Sequence, residues 1–274
     1  MTKAKIITFL TDFGLQDVYV GIMKGVISQI NSDISIIDLT HDLPPQDIAA
    51  GSFALISAYN FFPDNTVHLA VIDPGVGSSR RGVAIEFDGG FLVGADNGLF
   101  SNLLSQTPAK KAVSLDNPQY WRSQSSSSTF HGRDIFAPIA AHLASGIEIE
   151  KLGTKIELES LISSDFPSVK VEGDKFIGQV KYIDRFGNLI TNISASDFSE
   201  DNLSLLPQLI NSQVIIHNQI IPMVVTYSDR PRNDLVALVG SHGYLEIAVN
   251  CGNAQARLQA QVGATVIVKS SIKF

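Results

Sequence analysis

The chain has 274 residues, 45% of them hydrophobic and 17% charged, with a formal net charge of −7. That composition excludes a disordered chain, and the length suits about two domains. The acidic balance argues against a nucleic-acid partner, since phosphate binding needs a basic face, and the single cysteine, Cys251, rules out an internal disulfide framework and fits a reducing, cytoplasmic setting.

Lys3 and Lys5 precede a short apolar run at residues 6–10 that Asp12 interrupts. The run is too short for a signal-peptide core, and no stretch approaches the length of a membrane span. Residues 5–10 are expected as the first strand. Residues 17–30 follow as a helix, with Val18, Ile22 and Val26 on one apolar face and Asp17 as its N-cap. Strands at 34–37, 67–72, 83–87 and 91–93, a second helix at 47–59 and a later helix at 133–144 complete this half. Such alternation of strand and helix predicts an α/β N-terminal domain, residues 1–160, with a mostly parallel central sheet.

The second half reads differently. Strand-like runs at 169–171, 176–183, 189–193, 213–217, 220–227, 235–239, 244–249 and 265–269 predict a smaller all-β C-terminal barrel-like domain, residues 168–274. Asn218-Gln219 is the expected hairpin connector, and a short helix is expected near 201–206. The boundary falls in the serine-rich stretch 158–167. A second serine run, Ser125 to Ser128, reads as a surface loop just ahead of His131.

Several N-terminal strands run into an aspartate: Asp12, Asp38, Asp73 and Asp96. In open α/β sheets ligands bind beyond the carboxyl ends of the strands, so these acids line one candidate rim; Asp38 alone is assigned a structural role. Asp12 in Thr11-Asp12-Phe13-Gly14 can accept bonds from two adjacent hydroxyls. Asp73-Pro74-Gly75-Val76-Gly77 lacks the lysine of a triphosphate-binding loop, and Arg80 or Arg81 behind it can reach back to Asp73. His131, in Phe130-His131-Gly132-Arg133-Asp134, supplies an imidazole that titrates near neutrality. A carboxylate, a fixed cation and an imidazole can hold a water molecule and take its proton. Asp184, Phe186 and Asn188, in Tyr182-Ile183-Asp184-Arg185-Phe186-Gly187-Asn188, offer an acid, an aromatic face and an amide for a flat polar ligand.

These segments, with Ala95-Asp96-Asn97-Gly98-Leu99 and Gly243-Tyr244-Leu245-Glu246-Ile247-Ala248, resemble the S-adenosyl-L-methionine hydrolases, also called hydroxide adenosyltransferases, relatives of fluorinase and chlorinase. The resemblance spans nearly the whole chain, with the motifs in order. It implies hydrolysis of S-adenosyl-L-methionine to adenosine and L-methionine by attack of water at the 5′ ribose carbon, with neither metal nor cofactor. It implies catalysis by Asp73, Arg80 and His131, with Arg81 as the alternative cation. Substrate binding then falls to Asp12, at the ribose hydroxyls, and Phe13, to Asp184 and Asn188 at the methionine and adenine ends, to a stacking Phe186, and to Ser241 near the adenine. It further implies a homotrimer with each site shared between subunits. Halogenating relatives carry a different residue where this chain has Asp73, which favours water over halide.

Three other readings compete: a halide-using adenosyl transferase, a protein that binds an adenosyl ligand without turning it over, and a metal-dependent hydrolase built on the aspartate rim. The sequence leaves open which member of the trio takes the proton.

Overall fold

The computed structural model describes residues 5–164, 167–198 and 212–269. The chain divides into two compact units, residues 1–165 and 166–274.

The first unit opens on β1 (Ile6–Thr11), α1 (Tyr19–Ile30), β2 (Ser35–Thr40), α2 (Ile48–Ala58) and β3 (Thr66–Val71). There follow β4 (Gly82–Phe87), β5 (Gly90–Ala95), α3 (Ser101–Gln106), β6 (Ala109–Ser114), α4 (Ala137–Ala144) and β7 (Thr154–Lys155). The seven strands form one sheet in the order β2-β1-β3-β5-β4-β6-β7. The four strands from β2 to β5 run parallel, whereas β4, β6 and β7 join by antiparallel pairing. Every residue of β3 is buried, because helices cover both faces of the sheet's centre. Alternate residues Ile7, Phe9, Val67, Leu69 and Val93 share a core with Met23 and Ile27 of α1 and with Ile139 and Ala140 of α4. On the other face the α2 backbone at Gly51 lies directly against Ile72.

Two local expectations fail here. Asp17 is not a cap; α1 begins two residues later, and its N-cap position is Val18, with no side-chain bond. Asp47 does cap α2, its carboxylate accepting from the Ala50 N–H at 2.9 Å. The expected helix at 133–144 is two structures: a π segment over Gly132–Phe136 runs into α4. Strands β6 and β7 and helix α3 carry too weak a pattern to be anticipated; two lysines interrupt β6, which lies near the sheet edge.

The second unit contains β8 (Lys170–Glu172), β9 (Lys175–Ile183), β10 (Leu189–Ser194), β11 (Gln213–Ile216), β12 (Gln219–Pro222), β13 (Leu235–Val239), β14 (Tyr244–Val249), α5 (Ala254–Leu258) and β15 (Thr265–Lys269). Its sheet is antiparallel throughout, in the order β12-β11-β15-β9-β10-β14-β13, with β8 also on β9. Just past β12, Met223 bridges to Ala237 of β13, which nearly closes the sheet into a barrel. Val180, Leu189, Val214, Ile247 and Val266 fill its interior. The hairpin turn is His217-Asn218, one residue earlier than expected; both residues adopt positive φ, at 48° and 61°. The expected strand at 220–227 ends at Pro222. The helix expected at 201–206 lies outside the described residues. No helix among them is long and apolar enough to cross a membrane.

Candidate active site

Strands β1, β3 and β5 are parallel neighbours, so the segments leaving their carboxyl ends meet on one rim. Asp12 follows β1, Asp73 lies two residues beyond β3, and Asp96 follows β5 directly. Asp38 is not on that rim. It sits inside β2, where it pairs with Lys24 at 2.6 Å and faces His41 at 3.2 Å, in keeping with a structural role.

The turn after β3 is braced by its own backbone. The Val76 N–H donates to the Asp73 carbonyl, and the Ser78 hydroxyl donates to the Gly75 carbonyl and accepts from the Arg80 N–H. The turn thereby folds Arg80 back over Asp73. Arg80 Nε donates to Asp73 Oδ1 at 2.8 Å, and Nη2 donates to Oδ2, a two-pronged pairing of planar groups. The same Nη2 lies 2.8 Å from His131 Nδ1. Asp73 and Arg80 side chains are 7% and 10% exposed. Of the two arginines, Arg80 is the one that pairs with Asp73; Arg81 turns away, pairing with buried Asp96 at 2.6 Å and donating to the Ser160 carbonyl.

A guanidinium only donates, so His131 Nδ1 must accept, and the neutral ring carries its proton on Nε2. The electrostatics agree: burial, and then the Arg80 charge, hold the His131 pKa below the ordinary histidine value. The Phe136 ring lies 5.3 Å from the Arg80 guanidinium carbon, and Gly82 leaves room for that ring. Phe136 was not anticipated, because its place depends on the π segment.

Asp12 accepts from the Gln46 N–H at 2.6 Å. Phe13 packs edge-on against Tyr19 and Phe130, each at 6.0 Å, and so adjoins the segment carrying His131. Asp184, Phe186 and Asn188 form the β9–β10 turn in the second unit. Asp184 Oδ1 accepts from the Phe186 and Asn188 N–H groups at 2.9 and 2.8 Å, and Oδ2 from Asn188 Nδ2 at 3.0 Å. Asp184 therefore shapes the turn and holds Phe186 outward, 75% exposed. Gly187 has φ +82° and lies against the Asn253 side chain, a place no Cβ could occupy.

Ser241 is exposed in the β13–β14 turn, apart from the β9–β10 turn. Beside Ser241 in the chain, His242 contacts Glu246 Oε2 at 3.2 Å, and the Tyr227 hydroxyl donates to Oε1 at 2.7 Å. Burial, then the bond to Glu246, raises the Tyr227 pKa, and the Asp184 charge adds to it. Sequence reasoning missed this link, since Tyr227 and Glu246 look like ordinary strand residues. Among the described residues no group of three or more His, Cys, Asp or Glu side chains is arranged to hold a metal ion.

Two family models match in order. SAM hydroxide adenosyltransferase N-terminal domain covers residues 7–153, and SAM hydroxide adenosyltransferase C-terminal domain covers 178–267. A Thermus thermophilus protein named (R)-S-adenosyl-L-methionine hydrolase is 38% identical, across 94% of this chain and 97% of its own. A Nocardia brasiliensis fluorinase is 25% identical across 97% of each. A crystal structure of an uncharacterized conserved protein from Thermotoga maritima superposes with a TM-score of 0.88 at 34% identity, covering 96% of this chain and 99% of that one. With both of its halves matched in sequence, and its fold shared with a solved relative, this chain belongs to the SAM hydroxide adenosyltransferase family.

Proposed function

We propose that this chain hydrolyses S-adenosyl-L-methionine to adenosine and L-methionine. One observation carries the reading: a single, nearly buried guanidinium joins the Asp73 carboxylate to the His131 imidazole. The names of relatives at 35–39% identity support it.

The sulfonium leaves as a neutral thioether, so no acid is needed on that side. Water oxygen bonds to the 5′ carbon while the carbon–sulfur bond breaks and sulfur keeps the electron pair. Hydroxide character and sulfonium charge cancel as they approach, which a dry pocket favours. Arg80 stabilises the hydroxide character, and holding water in line contributes several kcal/mol, on the order of the orientation effects known for paired reactants. Since the Nδ1 lone pair of His131 is taken by Arg80, Asp73, the anion of the trio, receives the proton. No step calls for a metal or a cofactor.

Asp12 and Phe13 would serve the ribose side. The Asp184 turn would present Asn188 and Phe186 to the methionine and adenine ends, with Ser241 near the adenine. The reading includes a homotrimer with sites completed between subunits, supported by the exposed apolar side chains Leu15, Val18, Tyr19 and Phe186. The lone Cys251 suits a cytoplasmic enzyme.

Purified protein incubated with S-adenosyl-L-methionine should release adenosine and methionine in equal amounts, resolved by chromatography. A chlorinated nucleoside in chloride without adenosine would assign a halide transferase. Ligand-induced thermal stabilisation without product would assign a binding protein. Activity lost in chelator and restored by a divalent ion would assign a metal-dependent hydrolase.

A further inference from the structure

Asp134 takes no part in the chemistry above, yet it is a buried carboxylate, 2% exposed, at the meeting of four donors. Arg133 Nε and Nη2 reach its two oxygens at 2.7 and 2.8 Å. The Ser127 N–H donates to Oδ2 at 2.8 Å, and Arg122 Nη1 approaches Oδ1 at 3.4 Å. The Asp134 carbonyl also accepts from the Arg122 N–H at 2.9 Å. Both ends of the loop 122–127 are thus tied to one residue. The next residue, Ser128, rests its carbonyl against Gly77, where an added Cβ would lie 2.5 Å away. Asp134 itself lies in the π segment, between His131 at its head and Phe136 at its end, and both of those side chains meet Arg80. A π turn carries one more residue than an α turn, so side chains on either side of it take directions a regular helix would not give them.

We propose that Asp134 is a positioning residue: by tying the serine-rich loop to the π segment, it fixes His131 Nδ1 on the Arg80 guanidinium and seats that loop against the turn bearing Asp73. The proposal rests on the trio's role given above, but the geometry it controls can be read without turnover.

Asp134→Asn keeps the shape and removes the charge. It should lower kcat by about 10²-fold while KM stays within about twofold, since a misplaced catalytic group costs rate and not uniform binding. Nitrogen NMR of the histidine rings should find wild-type His131 protonated at Nε2 alone and a mixture of tautomers in Asp134→Asn. Asp134→Glu should restore part of both. Ser127→Pro deletes one donor in the loop and should shift both readouts in the same direction if Asp134→Asn does not fold. A folded Asp134→Asn, or Ser127→Pro in its place, with a lower melting temperature but wild-type kcat and a single tautomer overturns the proposal. Wild-type protein that makes no adenosine, while the tautomer still shifts in the variant, sinks the hydrolase reading and leaves the clamp standing.

Discussion

Arg80→Lys tests the site most sharply, because it keeps the charge and removes the fork. The arginine offers two parallel donors to Asp73 and shares one with His131, all within a nearly buried setting. A lysine ammonium is a single point that cannot span both carboxylate oxygens and the imidazole in one plane. Losing one preorganised donor to a developing oxyanion costs about 2.7–4 kcal/mol, or about 10²–10³-fold in kcat. Ground-state substrate contacts are untouched, so KM should hold. Initial rates of adenosine release across substrate concentration measure both terms. Arg81→Lys is the matched control, since Arg81 pairs with Asp96 instead, and its turnover should stay near wild type. An Arg80→Lys enzyme with wild-type kcat would refute the role given to the guanidinium.

Stability should fall on mild acidification through His68, which burial holds down to a pKa of about 4 against 6.5. The folded ring stays neutral while the unfolded ring takes a proton below pH 6.5, so stability present above that value is lost as pH falls from 6.5 toward 4, by at most about 3 kcal/mol. Denaturant midpoints across that range should drop, and His68→Gln should flatten the slope; an unchanged slope would count against it. Gly77→Ala should destabilise by more than about 1 kcal/mol and also slow turnover, since φ is +81° and the new Cβ meets the Ser128 carbonyl. Thermal melts and rates measure the pair, and a variant matching wild type in both would show that the turn tolerates a side chain.

The amino-acid sequence was enough for the layered α/β half and the β half, because a strand buried on both faces is mostly apolar, as in Thr66–Val71, and an amphipathic helix writes a period near 3.6, as in Tyr19–Ile30. It also exposed the site's ingredients, since glycine-rich turns between strands leave charged residues with few other duties. It could not choose between Arg80 and Arg81. Adjacent residues on an extended chain point oppositely, so only the fold sends one to Asp73 and the other to Asp96. Nor could it find Asp134's partners, the π turn that brings Phe136 under Arg80, or the Tyr227–Glu246 link. Those depend on which side chains the packed fold brings together, as it brings Arg80 to His131, and local periodicity carries no record of which groups will meet.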